Sequence, residues 1–214
     1  MRLAFMIAVA SCVIVIVAAG CGTEPVSDER AAKETTGETT GETTGSSGEG
    51  SVPASLRGVM DSYKIAQEEI AAEGGEKKAG PYRVGYIVEP AEGWWEGEPG
   101  DLQWREPLSG ETNHLEILPF DAETGLLVPE ANVTLSVYTE EGDKVGSKPL
   151  EFYSAEFYHY ANNFGLPGSG EYTLEAEISP PAFRRHGEES GEGKVFTKPV
   201  TVKFENVEIS TEEE

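Results

Sequence analysis

The sequence predicts an all-β protein, an antiparallel β-sandwich with an N-terminal helical extension. Three observations predict it. Short runs of strand-like alternation fill most of the chain from residue 82 to residue 207. Glycine and proline turn signals separate them. A single stretch of three-to-four spacing precedes them.

The chain has 214 residues. Met1-Arg2 is a short positive start, and Leu3 to Ala19 is almost wholly apolar. That length suits a secretory segment and is short for a membrane span. It ends in Ala18-Ala19-Gly20-Cys21, small residues before a cysteine. The pattern resembles a bacterial lipoprotein signal, cut before a cysteine that then carries lipid. On that reading 1–20 is the signal peptide and Cys21 the lipidated residue. An ordinary signal peptide or an uncleaved anchor is the alternative. Either way the mature protein works outside the cytoplasm, and a lipid at Cys21 would tether it to the membrane. Both cysteines lie within the first 21 residues, so the folded part has no thiol chemistry.

Residues 21–51 are rich in Thr, Gly, Glu and Ser, with TTGETTGETTG at 35–45, and carry too little apolar surface to fold. They read as a disordered tether spanning roughly 30 Å. Residues 52–80 read as the helical extension. Pro53 stands near its start, Leu56, Val59, Met60, Tyr63, Ala66 and Ile70 form an apolar stripe, and Gly74-Gly75 stop the helix.

Residues 81–210 hold the sandwich, and 211–214 form an acidic tail. Candidate strands are 82–88, 115–120, 132–139, 144–152, 172–178 and one or two within 195–207. In NVTLSVYT (132–139), Val133, Leu135 and Val137 share one face. Glu140 to Asp143 and Gly168 to Gly170 make turns, and Pro180-Pro181 ends a strand. Residues 89–113, with Trp94, Trp95 and Trp104, read as a long acidic loop that packs on one end of the sandwich or meets a partner.

Asp plus Glu number 39 against 16 Lys plus Arg, a net charge of −23. Loss of 1–20 removes only Arg2 among the charged residues. Such acidity excludes nucleic acid as a partner and argues against docking on anionic lipid by charge. It concentrates cations instead. No nucleophile elbow, phosphate-binding loop, CxxC or HExxH is present, so the chain does not read as an enzyme.

The three histidines are His114, His159 and His186. His114 and Glu116, two apart on a candidate strand, share a face and suit two ligands to one ion. His159 lies among aromatics in Phe157-Tyr158-His159-Tyr160, and His186 follows Arg184-Arg185. Imidazole and carboxylate suit zinc, copper(II) or iron(II). Taken alone, three scattered histidines fit a shared site or three unrelated positions.

The stretch from His114 to about Ile209 resembles the periplasmic iron-transport accessory family, which includes lipoproteins. The pieces that carry the resemblance are His114-Leu115-Glu116, His159-Tyr160-Ala161-Asn162-Asn163, Gly170-Glu171-Tyr172-Thr173-Leu174, Ile178-Ser179-Pro180-Pro181, Arg185-His186 and Phe196-Thr197-Lys198-Pro199-Val200. The resemblance implies an immunoglobulin-like sandwich, often a homodimer, working in ferrous-iron uptake beside a membrane permease. It implies copper held by three histidines and a methionine, with a nearby glutamate. Carried over, His114, His159 and His186 are the ligands and Glu116 an auxiliary one. The methionine position falls on Phe152, whose ring cannot coordinate, so the soft donor favouring copper(I) is missing. The expected site lies at the edge or end of the sandwich, open to solvent, with His159 and His186 on loops and with affinity falling as pH drops through about 6. The alternative is a lipid-anchored immunoglobulin-like adhesion or structural module without metal.

Overall fold

The computed structural model describes residues 53–186 and 195–211, within one unit spanning 49–214. The signal peptide, Cys21, the tether and residues 212–214 of the acidic tail lie outside the described residues. A 3-10 turn, Ala54–Leu56, leads into helix α1 (Arg57–Glu73). Eleven strands follow among the described residues: β1 (Gly74–Ala79), β2 (Tyr82–Pro90), β3 (Trp94–Glu98), β4 (Asp101–Arg105), β5 (Asn113–Asp121), β6 (Asn132–Thr139), β7 (Lys144–Pro149), β8 (Glu151–Ser154), β9 (Tyr158–Phe164), β10 (Gly170–Ser179) and β11 (Val200–Ile209).

The architecture is the antiparallel sandwich that the alternation predicts. One sheet has the order β1-β2-β5-β9-β8 and the other β11-β10-β6-β7. The chain changes sheet at buried Leu150, between β7 and β8. The inner faces meet in a core that includes Tyr82, Leu115, Ile117, Leu135, Val137, Phe164, Leu174, Ile178 and Phe204. Burying such side chains contributes about 1.5–3 kcal/mol each, and with no cysteine beyond Cys21 this core is the main source of stability.

A second apolar cluster lies on the opposite, outer face of the five-stranded sheet. Ala66 and Ile70 of α1 pack there on Ile87, Leu118, Phe120 and Phe157. Gly85 of β2 lets the helix approach, since a Cβ there would lie 2.6 Å from Ile70 Cδ1. Two bonds tie the helix down: the Leu127 N–H donates to the Tyr63 hydroxyl at 2.8 Å, and Ser62 Oγ donates to the Glu156 carbonyl at 2.6 Å.

Four expectations need correction. The helix ends at Glu73 where the two glycines stop it, but residues 74–79, placed in the helical extension, pair with β2 as an edge strand. Only the later half of the helical stripe packs, leaving Leu56, Val59 and Met60 exposed. The acidic loop 89–113 contains a hairpin, β3–β4, in which Trp95 faces Trp104. His159 stands on a strand, β9. That strand has no polar–apolar alternation to read, because His159, Ala161 and Asn163 are buried on the outer face while Tyr160 and Phe164 enter the core.

Candidate metal centre

Strand β5 alternates between two destinations. Leu115 and Ile117 point into the core, so His114 and Glu116 point to the outer face with Leu118 and Phe120. Strand β9 runs alongside, pairing His114 with Asn163 and Glu116 with Ala161. The small Ala161 opposite Glu116 leaves room for His114 and His159 to approach from either end. One ligand atom from each of His114, Glu116 and His159 lies within 4.8 Å of the others. Glu116 Oε1 is 3.5 Å from His159 Nε2. The imidazoles stand edge to face, ring centres 6.1 Å apart.

The trio is not at an open edge. His114, Glu116 and His159 are 1%, 3% and 5% exposed. Aromatic rings close over them: Tyr153 stacks on His159 and meets His114 edge-on, Trp94 packs at 6.3 Å from His114, and Phe157 at 5.4 Å from His159. Burial governs the protonation of all three groups. It lowers His114, opposed by the Asn163 hydrogen bond and the Glu111 charge. It lowers His159 to about 4, with His114 alongside adding to the effect. It pushes Glu116 up to about 9, reinforced by the charges of Glu89, Glu69 and Glu92. The contact between Glu116 and His159 is therefore between neutral groups at pH 7, not an ion pair.

Three further glutamates gather around Glu116. Glu89 is the β2 partner of His114, Glu92 follows that strand, and Glu69 comes from α1. Burial raises all three, and neighbouring carboxylates, Glu156 among them, add to it, while at Glu92 a hydrogen bond with Glu89 works the other way. Among the described residues, none of Glu69, Glu89, Glu92 and Glu116 has a lysine or arginine at ion-pair distance. Asn163 connects the centre to its surroundings. Its Oδ1 lies 2.8 Å from His114 Nδ1 and accepts from the Glu92 N–H at 3.2 Å. Its Nδ2 donates to the Glu92 carbonyl at 2.7 Å and to Glu111 Oε2 at 3.1 Å. Arg105 Nη2 donates to both Glu111 oxygens, and its guanidinium covers the Trp94 ring at 3.9 Å. Burial alone would raise Glu111, but bonds from Arg105, the Leu108 N–H and Asn163 hold it at about 2.

The structure does not bring the other two sequence-derived positions to the trio. His186 is exposed at the end of the segment that Arg185 pins to the carbonyls of Pro181, Phe183, Val195 and Phe196. Phe152 pairs with Tyr160, on the other face of β8–β9, and stacks on Tyr158. Its neighbour Tyr153 pairs with His159 and faces the centre. Sequence reasoning missed Tyr153, Asn163, Glu89 and Glu69. Only Glu89 left a signal, the acidity after a strand, because the others depend on register or on helix docking.

Fold and site together define an antiparallel sandwich with two imidazoles and a carboxyl converging in an apolar shell. Residues 111–209 match the model of the family described as Fe2+ transport protein. No curated protein matches the sequence. Among solved structures, a copper-bound variant of FetP from uropathogenic Escherichia coli is similar, with TM-score 0.52 and 17% identity over 65% of this chain and 92% of that one. A copper-bound variant of the P19 protein of Campylobacter jejuni has TM-score 0.52 and 20% identity over 65% of this chain and 98% of that one. At these identities the likeness is one of fold.

Proposed function

We propose that this chain is an extracytoplasmic metal-binding protein that assists ferrous-iron uptake, with the cation held by His114, His159 and Glu116. The observation that carries the reading is the convergence of three ligand groups in a buried pocket where Glu116 Oε2 and His159 Nδ1 have no hydrogen-bond partner. Phe157's carbonyl lies near enough to favour a charged His159 slightly, but not in hydrogen-bond geometry. Unpaired polar atoms this deep cost stability unless a ligand supplies a partner. Nitrogen and carboxylate donors without a thioether suit iron(II), zinc and copper(II). The copper bound to FetP and P19 supports the reading, as does the ferrous iron named in the family.

In this reading the residues have distinct tasks. The histidines are already neutral at pH 7 and give lone pairs without losing a proton. Glu116 holds a proton that leaves as the cation arrives, so net charge in the buried pocket rises by one rather than two. Glu69, Glu89 and Glu92 attract the cation toward the pocket, and the aromatic shell excludes water. Cys21 carries the lipid that tethers the protein at the membrane beside an iron permease, and two chains form a homodimer. His186 stands apart as a weaker, outer contact, and no bond-making chemistry is assigned.

The test is a titration of the purified chain with iron(II) under anaerobic conditions, or with zinc. One cation per chain is expected. His114→Ala or His159→Ala should weaken binding at least about 100-fold, and His186→Ala less than about threefold. Affinity should increase about tenfold per pH unit from 6 to 8.5, with one proton released, because Glu116 must ionise. This replaces the expected loss near pH 6, since burial takes His159 to about 4. Unchanged binding in the His114→Ala, His159→Ala double variant would sink the proposal.

A further inference from the structure

We infer that Asn163 is a positioning residue that locks His114 as its Nδ1–H tautomer, leaving Nε2 as the only ring nitrogen able to accept a cation. The cation's part in this rests on the function proposed above; the tautomer itself rests on geometry alone. The orientation of an asparagine amide is decided by the groups around it, and here they are unambiguous. One side of the amide meets the Glu92 N–H, which can only donate, at 3.2 Å. The other side meets the Glu92 carbonyl at 2.7 Å and a Glu111 carboxylate oxygen at 3.1 Å, which can only accept. Turning the amide over would place two donors face to face and an oxygen against two acceptors. The atom 2.8 Å from His114 Nδ1 is therefore the amide oxygen, and Nδ1 must carry the hydrogen.

The lock is built from outside the site. The Glu111 carboxylate that orients Asn163 is gripped by Arg105 of β4 and by the Leu108 N–H. Arg105 lies over Trp94, and Trp94 packs on both His114 and Tyr153. Backbone atoms of residue 92 complete the clamp. The hairpin and the loop after it, which in sequence read as packing on one end of the sandwich or meeting a partner, thus fix the proton on a histidine ring. A ligand nitrogen whose partner is set this way is pre-oriented as well as deprotonated.

The experiment is long-range proton–nitrogen NMR of the metal-free chain, with zinc competition titrations on the wild type, Asn163→Ala and Asn163→Asp. The wild type should show His114 protonated at Nδ1. Asn163→Ala should lose that preference, and zinc affinity should fall about 10- to 100-fold. Asn163→Asp keeps an acceptor for Nδ1–H but turns its second oxygen on the Glu92 carbonyl and Glu111, where only a protonated carboxyl can donate, so the tautomer should persist and the loss of affinity be clearly smaller than in Asn163→Ala. A merely structural asparagine would make the two variants equally poor. The inference is overturned if the wild type carries its hydrogen on Nε2, if Asn163→Ala binds zinc as the wild type does, or if Asn163→Asp falls as far as Asn163→Ala. Zinc failing to bind the wild type, with Nδ1–H present and lost in Asn163→Ala, would refute the proposed function and leave the tautomer lock standing.

Discussion

Phe152 and Tyr153 show how much turns on one residue of register. Counting along the chain from the middle histidine lands on Phe152, but strand pairing sets Tyr153 beside His159 and Phe152 beside Tyr160. Tyr153 is stacked on His159, and its buried hydroxyl has no hydrogen-bond partner. Burial raises its pKa well above the ordinary value, so it stays a neutral phenol. A thioether should therefore matter at 153 and not at 152. Tyr153→Met should raise copper(I) affinity relative to zinc about tenfold or more, whereas Phe152→Met should leave the ratio unchanged. Competition against a chromogenic copper(I) chelator measures both, and a larger shift from Phe152→Met would refute this register. The same logic explains what was legible. His114 and Glu116 share a face by simple alternation, so their pairing could be read from two letters. His159 needed the resemblance, and Asn163 needed the strand register that no local pattern supplies.

At the level of elements, the helix and the strand after it are joined without a loop. Gly74 closes α1 and opens β1, with its backbone packed against β2. A Cβ on Gly74 would lie 1.8 Å from the Tyr86 carbonyl oxygen, a backbone atom that cannot turn aside. Gly74→Ala should therefore cost about 2 kcal/mol or more. Gly58, on the exposed start of α1, is the control, because a Cβ there would meet nothing within 4 Å. Gly58→Ala should be neutral or stabilise by up to about 1 kcal/mol. Urea melts of the two variants separate them, and equal midpoints would mean that the α1–β1 junction yields. Sequence patterns found the helix and β6 because each has one wet and one dry face. They missed β1, whose GGEKKA has no apolar side chain beyond Ala79, and misplaced β9, whose faces are both covered. The outer face of β9 is covered by Tyr153 and Phe157 at His159 and by the backbone of residue 92 at Asn163, contacts that local periodicity does not encode.

Across the whole molecule, the buried centre couples metal binding to stability through protons. His159 and His114 are lowered on folding, so the stability they contribute is fully present above about 6.5 and is lost as pH falls toward 4. Glu116 is raised from 4.5 to about 9, so its contribution is fully present below 4.5 and is lost as pH rises toward 9. Glu69, Glu89 and Glu92 are raised too and act in the same direction as Glu116. Between 4.5 and 6.5 the histidine and glutamate contributions oppose one another, and above 6.5 only the glutamate side remains. The metal-free chain should therefore lose on the order of a few kcal/mol between pH 6.5 and 9. Self-repulsion among 39 acids against 16 bases adds to the loss only weakly at ordinary salt, where exposed charges are screened. Glu116→Gln should flatten the limb from 6.5 to 9. Saturating zinc should flatten it too, since the bound cation keeps Glu116 ionised in the folded state and folding then takes up no proton there. Denaturant melts at half-unit pH intervals, with and without zinc, report all three curves. A metal-free wild type whose stability is flat from pH 6.5 to 9 would show that Glu116 is not held protonated, and the charge accounting of the buried centre would fail with it.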